Sequence, residues 1–289
     1  MPAVVLDGEA LAASIKQGLK VRVDALVAAG HRPGLGTLLV GDDGPSSSYV
    51  AMKHRDAREL GIASTDVHLG ADATQAEVLE VVVRFNADPA VDAYLMQYPF
   101  PKHLDFEGAM LAVDPAKDVD GLHPVNLGRL VQGVEAPLPC TPAGIQQLLV
   151  AHGVPIAGRH VVIVGRGLTI GRPLANLLAL KRQHANAAVT VVHTGVPKEQ
   201  MVELCRQADI LVAAAGSPGL VSADMVKPGA AVVAAGVSFA GRKLLSDVAD
   251  DVAEVAGWLS PRIGGVGPMT RAMLLVNCVN AAERRAATS

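Results

Sequence analysis

The feature that most limits the fold is an alternation: short runs of β-branched residues exchange with stretches of helical apolar period along almost the whole chain. Such alternation builds parallel strands covered by helices, because each strand buries both faces and the helix between two strands carries the crossover. The sequence predicts a helix over 8–26, a strand over 36–40 and a helix over 46–60 capped near Ser46. A strand over 93–97 follows, which the prolines of Tyr98-Pro99-Phe100-Pro101 must end. Residues 127–133 and the proline-rich 136–142 read as a crossing between domains, and 143–152 as a connecting helix. A second sheet begins at 160–164, runs into Gly165-Arg166-Gly167 and a helix near 173–180, and continues with strands at 188–192, 210–214 and 230–233. Residues 270–287 read as a last helix, with the glycine-rich loop 264–268 before it as a crossover.

The length of 289 residues suits two domains of ordinary size. Half the residues are apolar and 18% are charged, which excludes a disordered chain. A net charge of −3, no basic run and few aromatics argue against a nucleic-acid partner. The longest apolar stretches, such as 76–83 and 208–215, are far too short for a membrane span, so no membrane association is expected. The first residues lack a basic region with an apolar core and cleavage site, so no secretory signal is expected. Cys140, Cys205 and Cys278 lie apart with no C-x-x-C spacing, so neither a metal site nor a disulfide is expected, and a reducing cytoplasm fits.

A strand that ends in glycines and feeds a helix presents free backbone N–H groups and a positive helix end to an anion such as a pyrophosphate. Gly165, Gly167 and Gly171 form G-x-G-x-x-x-G, one residue longer than the usual dinucleotide fingerprint, and a plain strand–helix turn would show the same glycines. The next strand ends in His193-Thr194, without the carboxylate that grips the ribose hydroxyls of NAD. Arg166 can pair with a ribose 2′-phosphate and Thr194 can add a hydroxyl, which favours NADP. The plainer reading makes Arg166 a solvated loop cation and His193 a strand cap.

Ser46, Tyr49 and Lys53 follow helical spacing and share one face. A lysine among apolar groups has a lowered pKa and can act as a base, whereas on a surface it is an ordinary cation. Tyr49-x-x-x-Lys53 is also the signature of short-chain dehydrogenases, but there it follows the glycine turn, and here it precedes Gly165 by more than a hundred residues. Gln97, after an apolar run, needs hydrogen-bond partners and could take Lys53 as one. Asp120, in the turn-rich Lys117-Asp118-Val119-Asp120-Gly121, matches the donor pair of a pterin edge, or is a turn aspartate.

Taken in order, these segments resemble the methylenetetrahydrofolate dehydrogenase/cyclohydrolase family over nearly the whole chain. The resemblance runs through Val40-Gly41-Asp42-Asp43 with Ser46, Tyr49, Val50 and Lys53, then Gln97-x-Pro99-x-Pro101 and Lys117 to Gly121. Asn126-x-Gly128-Arg129-Leu130, Pro139-Cys140-Thr141-Pro142, Gly165-Arg166 through Gly171-x-Pro173, and Gly264 to Thr270 complete it. It implies an α/β chain of two domains: a substrate domain over 1–139 and 270–289, and a Rossmann-like NADP-binding domain over 140–269, with a cleft between them. It implies oxidation of 5,10-methylenetetrahydrofolate with NADP and hydrolysis of the methenyl product to 10-formyltetrahydrofolate, in a cytoplasmic homodimer without a metal. Lys53 would be central to hydrolysis, tuned by Gln97, with Tyr49 lining the folate site and Asp120 on the pterin. Thr141, Val237, Val266 and Pro268 would approach the nicotinamide or the folate, and Gly165, Arg166, Gly167 and Thr194 the rest of the cofactor.

Several positions depart from the family pattern. Tyr98 and Phe100 replace leucines beside Gln97, Ala234 stands for an aspartate, Ser246 for a glycine, Gly167 for a serine, and Arg262-Ile263 for a proline-bearing pair. Two readings follow, a specialised paralogue with an altered pocket or a single activity, and drift on one lineage. A catalytically weak folate- or NADP-binding protein is a further alternative, against which the retained Lys53 and Gln97 argue.

Overall fold

The computed structural model describes residues 2–241 and 243–288. In chain order the helices are α1 (Gly8–Ala28), α2 (Gly44–Leu60), α3 (Gln75–Ala87), α4 (Phe106–Ala112), α5 (Pro124–Gln132), α6 (Cys140–Ala151), α7 (Gly171–Ala179), α8 (Lys198–Arg206) and α9 (Val266–Ala286). The strands are β1 (Val4–Val5), β2 (Gly34–Val40), β3 (Ala63–Leu69), β4 (Ala93–Met96), β5 (His160–Val164), β6 (Ala188–Val192), β7 (Ile210–Ala213), β8 (Ala231–Ala234), β9 (Val237–Ala240), β10 (Lys243–Ser246) and β11 (Trp258–Leu259).

The chain divides into two compact units. One comprises Ser14–Arg129, Glu135–Cys140 and Arg271–Ser289; the other comprises Met1–Ala13, Leu130–Val134 and Thr141–Thr270. The division expected from sequence differs from this at residues 1–13, 130–134, Cys140 and Thr270; residues 1–13 join the second unit because β1 pairs with β11 in its sheet.

The first unit holds a parallel three-stranded sheet in the order β3-β2-β4. Every residue of the central β2 is buried, as a strand covered on both faces requires, whereas the edge strand β3 is half exposed and carries Ser64, Thr65 and Asp66. Leu38, Val78, Val82, Phe85, Tyr94 and Met96 form part of its core, with the Phe85 and Tyr94 rings tilted at a centroid distance of 5.1 Å. Helix α3 starts on a capping box: the Thr74 hydroxyl accepts from Glu77 N, and the Glu77 carboxylate accepts from Thr74 N at 2.7 Å.

The second unit holds a parallel six-stranded sheet in the order β1-β11-β8-β7-β5-β6, and a separate antiparallel hairpin of β9 and β10. Its core gathers Val162, Val164, Cys205, Leu211, Val232 and Val252, all almost fully shielded from water. Strand β5 lies between β6 and β7, so the chain leaves β5 to one side for β6 and returns on the other for β7. The carboxyl end of β5 is therefore the topological switch point, where open α/β sheets bind ligands.

The crossing between domains expected over 127–133 is mostly helical: α5 runs from Pro124, at a helix start where a missing N–H costs nothing, to Gln132, the unit boundary falls within it after Arg129, and His123 Nδ1 accepts from Val125 N. Three expectations are corrected. The cap of α2 is Asp43, whose carboxylate accepts from Ser46 N at 2.9 Å; Ser46 lies in the first turn. Val266 and Pro268 belong to the first turn of α9, and the turn itself lies earlier, at Gly264 with φ 81. Helix α7 begins at Gly171, two residues before its proline. Among the described residues no helix is long and apolar enough to cross a membrane.

Candidate active site

Helix α2 carries Ser46, Tyr49 and Lys53 on one face, as the spacing predicts, and that face is turned inward: Ser46 and Lys53 are buried and Tyr49 is half-buried. The Lys53 ammonium donates to Gln97 Oε1 at 3.1 Å and lies 4.8 Å from the centre of the Tyr49 ring. Gln97 is held in turn. Its backbone N–H donates to Leu38 O, continuing the β4–β2 ladder, and its amide nitrogen donates to Tyr98 O at 2.8 Å. With both ends of its amide engaged, Gln97 has one orientation, and its oxygen faces Lys53.

Asp120 comes from the turn that follows the short bridge of Tyr94 with Asp118. Asp118 was not singled out by sequence, yet it shapes that turn: its buried carboxylate accepts from Gly121 N at 3.0 Å, His123 N at 2.8 Å and Asn126 Nδ2 at 2.9 Å. Gly121 takes φ 70, and a Cβ there would lie 2.4 Å from the carbonyl carbon of Leu138, so only glycine fits. Asn277 of α9 braces the same region, donating to Val119 O and Leu138 O at 2.9 Å each. Cys140, at the start of α6, donates its thiol to Val119 O at 3.2 Å, and its backbone N–H donates to Asp120 O.

The electrostatics follow from burial. Desolvation pulls Lys53 below the ordinary lysine value, and the nearby Asp120 and Cys140 oppose it. Desolvation also raises Asp120, against the pull of Lys53 and with a further push from Asp118. Burial raises the Tyr49 phenol and the Cys140 thiol as well. Lysine, tyrosine, glutamine and carboxylate are thus gathered in one unit, in a place where burial makes the amine give up its proton more readily than in water.

In the other unit, β5 ends in Gly165, which has φ 128, and a Cβ there would lie 2.2 Å from Ala214 O. Gly171 packs as closely, with its imagined Cβ 2.2 Å from Gly165 O. A Cβ on Gly167 would meet nothing within 4 Å, so that glycine is not demanded by packing within the chain. Among the described residues no side chain caps the start of α7; Arg172 N donates to Gly167 O and Pro173 has no N–H, so it is the Gly171 N–H that this helix start turns toward an anion. Arg166, Gly167 and Thr194 are exposed around this turn, and residues 193–196 contain no carboxylate. A dinucleotide pyrophosphate fits this turn, and a cationic 2′-phosphate partner fits better than a ribose-binding acid.

The same unit joins the Thr141 and Thr270 hydroxyls at 3.0 Å, and Thr270 donates to Val266 O. Pro268 and Val266 are buried beside them in the first turn of α9. Val237 is exposed at the start of β9 and lies on the hairpin, apart from that cluster in sequence and element. Asp247 is another residue whose geometry sequence did not disclose: its carboxylate accepts from Ala215 N at 2.7 Å and Gly216 N at 2.8 Å, fixing the loop after β7.

A two-unit α/β protein with a buried lysine cluster in one unit and a glycine turn at a sheet switch point in the other has the parts of a dinucleotide-dependent enzyme with a separate proton-transfer site. The chain belongs to the tetrahydrofolate dehydrogenase/cyclohydrolase family: residues 6–120 match its catalytic domain and residues 139–286 its NAD(P)-binding domain. It is 54% identical to the bifunctional protein FolD of Syntrophotalea carbinolica, over 99% of this chain and 98% of that one. It is 55% identical to the bifunctional protein FolD 1 of Salinispora tropica, over 96% and 90%. Among solved structures, the FolD methylenetetrahydrofolate dehydrogenase/cyclohydrolase of Campylobacter jejuni superposes with a TM-score of 0.93 at 38% identity, covering 98% of this chain and 99% of that one. The Trypanosoma brucei FolD enzyme, solved with NADP and an inhibitor, gives 0.93 at 38% identity and 99% of both chains.

Proposed function

We propose that the protein oxidises 5,10-methylenetetrahydrofolate to the methenyl cation with NADP and hydrolyses that cation to 10-formyltetrahydrofolate. The observation that carries this reading is the buried Lys53, bonded to Gln97 at 3.1 Å and resting over Tyr49, in a chain that also holds the Gly165 turn. The unit around β2 takes the folate and does the hydrolytic chemistry, and the unit around β5 binds the dinucleotide.

Bound NADP supplies the hydride acceptor. Gly165 and Gly167, with the start of α7, would hold its pyrophosphate, while Arg166 and Thr194 would hold the 2′-phosphate; Thr141, Val237 and Val266 would line the nicotinamide end. The Asp120 carboxylate accepts from the amino and ring N–H of the pterin, Tyr49 confines the ring system, and the bridge carbon is thereby fixed, which is most of what hydride release requires. In hydrolysis, the neutral Lys53 amine takes a proton from water as the water oxygen bonds to the methenyl carbon. Gln97 Oε1 accepts from the resulting ammonium, which then gives that proton to the folate nitrogen whose bond to the carbon breaks; the regenerated amine takes the remaining hydroxyl proton as the formyl C=O forms and releases it to solvent. A low lysine pKa serves this step, since the amine must be unprotonated at the start.

The reading carries with it a cytoplasmic homodimer. The three buried thiols suit a reducing compartment, and the family resemblance supports the dimer, which light scattering on the purified protein tests. Activity is tested spectrophotometrically with 5,10-methylenetetrahydrofolate and either NADP or NAD. Methenyl formation with NADP preferred is expected; binding of both ligands without turnover would favour a ligand-carrying protein instead.

A further inference from the structure

The lysine face of α2 does not end at Lys53. Asp56 lies three residues further along it, is almost completely buried, and takes no part in the chemistry above. Tyr49, Lys53 and Asp56 stand at i, i+4 and i+7, so they line one stripe of the helix. A buried carboxylate needs paired charge, and Asp56 has two partners. Arg271, from the second turn of α9, donates Nε to Asp56 Oδ2 at 2.8 Å, and Lys16 of α1 donates to Oδ1 at 3.1 Å. Lys16 is also 3.7 Å from Glu59, one turn beyond Asp56. The Arg271 side chain is only 14% exposed, so its guanidinium is held rather than solvated.

Helix α9 therefore grips both walls of the lysine cluster. Six residues on from Arg271, Asn277 holds the backbone beside Asp120 and Cys140, while Arg271 holds α2 through Asp56. The Tyr49 phenol feels Arg271 and Asp56 with opposite signs, which places that pair within electrostatic reach of the ring on which Lys53 rests.

We propose that Asp56 and Arg271 are a charge-balanced positioning pair for hydrolysis, holding α2 against α9 and keeping the field along the Tyr49–Lys53 stripe close to neutral. The charged and titratable groups around Lys53 are Tyr49 beneath it, Asp120 on the turn, with Asp118 behind it, and Cys140 on α6; Asp56, Arg271 and, behind Asp56, Lys16 on α1 continue the stripe and act on it through Tyr49. The proposal rests on the function assigned to Lys53, and its test separates the two.

The Lys53 titration is followed by NMR of the lysine Cε carbons in the full-length protein, with Lys53→Met identifying the signal, and hydrolysis is followed against pH in the same variants. Arg271→Met leaves an excess negative charge on the stripe and should move the Lys53 midpoint up; Asp56→Asn leaves an excess positive charge and should move it down. Each shift should be on the order of half to one pH unit at an effective dielectric constant near 20. Arg271→Lys, which keeps the charge, should return most of the shift, and the double change Asp56→Ala with Arg271→Val, which removes both charges together, should bring the midpoint back near its original place. That double variant also guards against a single variant that fails to fold. Midpoints that coincide in all variants, or that move the same way in both single variants, overturn the pair. Absence of methenyl hydrolysis by the unaltered protein would instead overturn the assigned function, while the NMR midpoints still decide the pair.

Discussion

The lysine stripe of α2 and the glycine turn after β5 reach readiness by opposite means. Around Lys53, function is made from side chains contributed by α2, β4 and the turn before α5: a buried ammonium, a half-buried ring beneath it, an amide that accepts from it, and a carboxylate. Around Gly165, it is made from backbone: a φ of 128, an approach that excludes any Cβ, and a helix start without a side-chain cap. The first arrangement is adjustable by charge, the second by shape alone. A buried ionisable group shifts with every neighbouring charge, whereas a backbone cradle tolerates almost any side-chain change except the addition of a Cβ.

Breaking each region alone should therefore uncouple the two activities. Lys53→Met should lower methenyl hydrolysis by about 10²- to 10⁴-fold, the usual worth of a positioned acid–base group, while NADP binding measured by calorimetry stays intact. Gly165→Ala should do the reverse, weakening NADP binding most and lowering folding stability by roughly 2 kcal/mol or more, read by denaturant unfolding, because the new methyl group meets Ala214 O and the backbone is strained at that φ. Equal losses of both activities in either variant would erase the distinction between the regions.

Arg166→Ser sharpens the cofactor side. Losing one charge-assisted contact should reduce the preference for NADP over NAD by about 10- to 100-fold in kcat/KM, with hydrolysis unchanged. Asp120→Asn sharpens the lysine side through pH. The Asp120 carboxylate raises Lys53, so its removal lowers the lysine further and moves the rise of hydrolysis with pH to more acidic values, with the profile read at saturating folate. The linkage has a definite sign. Lys53 is lowered in the folded protein, so between its folded and unfolded values the unfolded chain binds the extra proton, and stability gained from this group rises with pH across that window. The smallest effect is expected far from both regions: Thr74→Ala removes a capping box and should cost about 1 kcal/mol in stability with no change in either activity.

Local sequence went far. Strands over 160–164 and 188–192 follow directly from their β-branched runs, and the glycine turn from three glycines at a strand–helix junction, because these are short-range preferences of the backbone. The spacing of Ser46, Tyr49 and Lys53 already implied a shared face. Strand β3 left no comparable trace, since an edge strand with polar residues lacks the apolar alternation, and α5 was hidden by a start at proline and a glycine within it.

Which way the lysine face points is a different matter. Charge alone would put Lys53, Asp56 and Arg271 in water, and their hydrogen-bond partners across the unit lie 40 or more positions away in sequence. Arg271 lies 215 positions from Asp56, and Asn277 lies 158 from Val119, yet these contacts are what make burial of the charges tolerable. The sequence by itself determined most of the buried strands, the helix carrying Lys53 and the backbone cradle, because dihedral preference and apolar period act over a few residues. The tertiary structure alone decided that an amine would be desolvated and matched with distant carboxylates, because the free energy of a buried charge is set by what surrounds it in space.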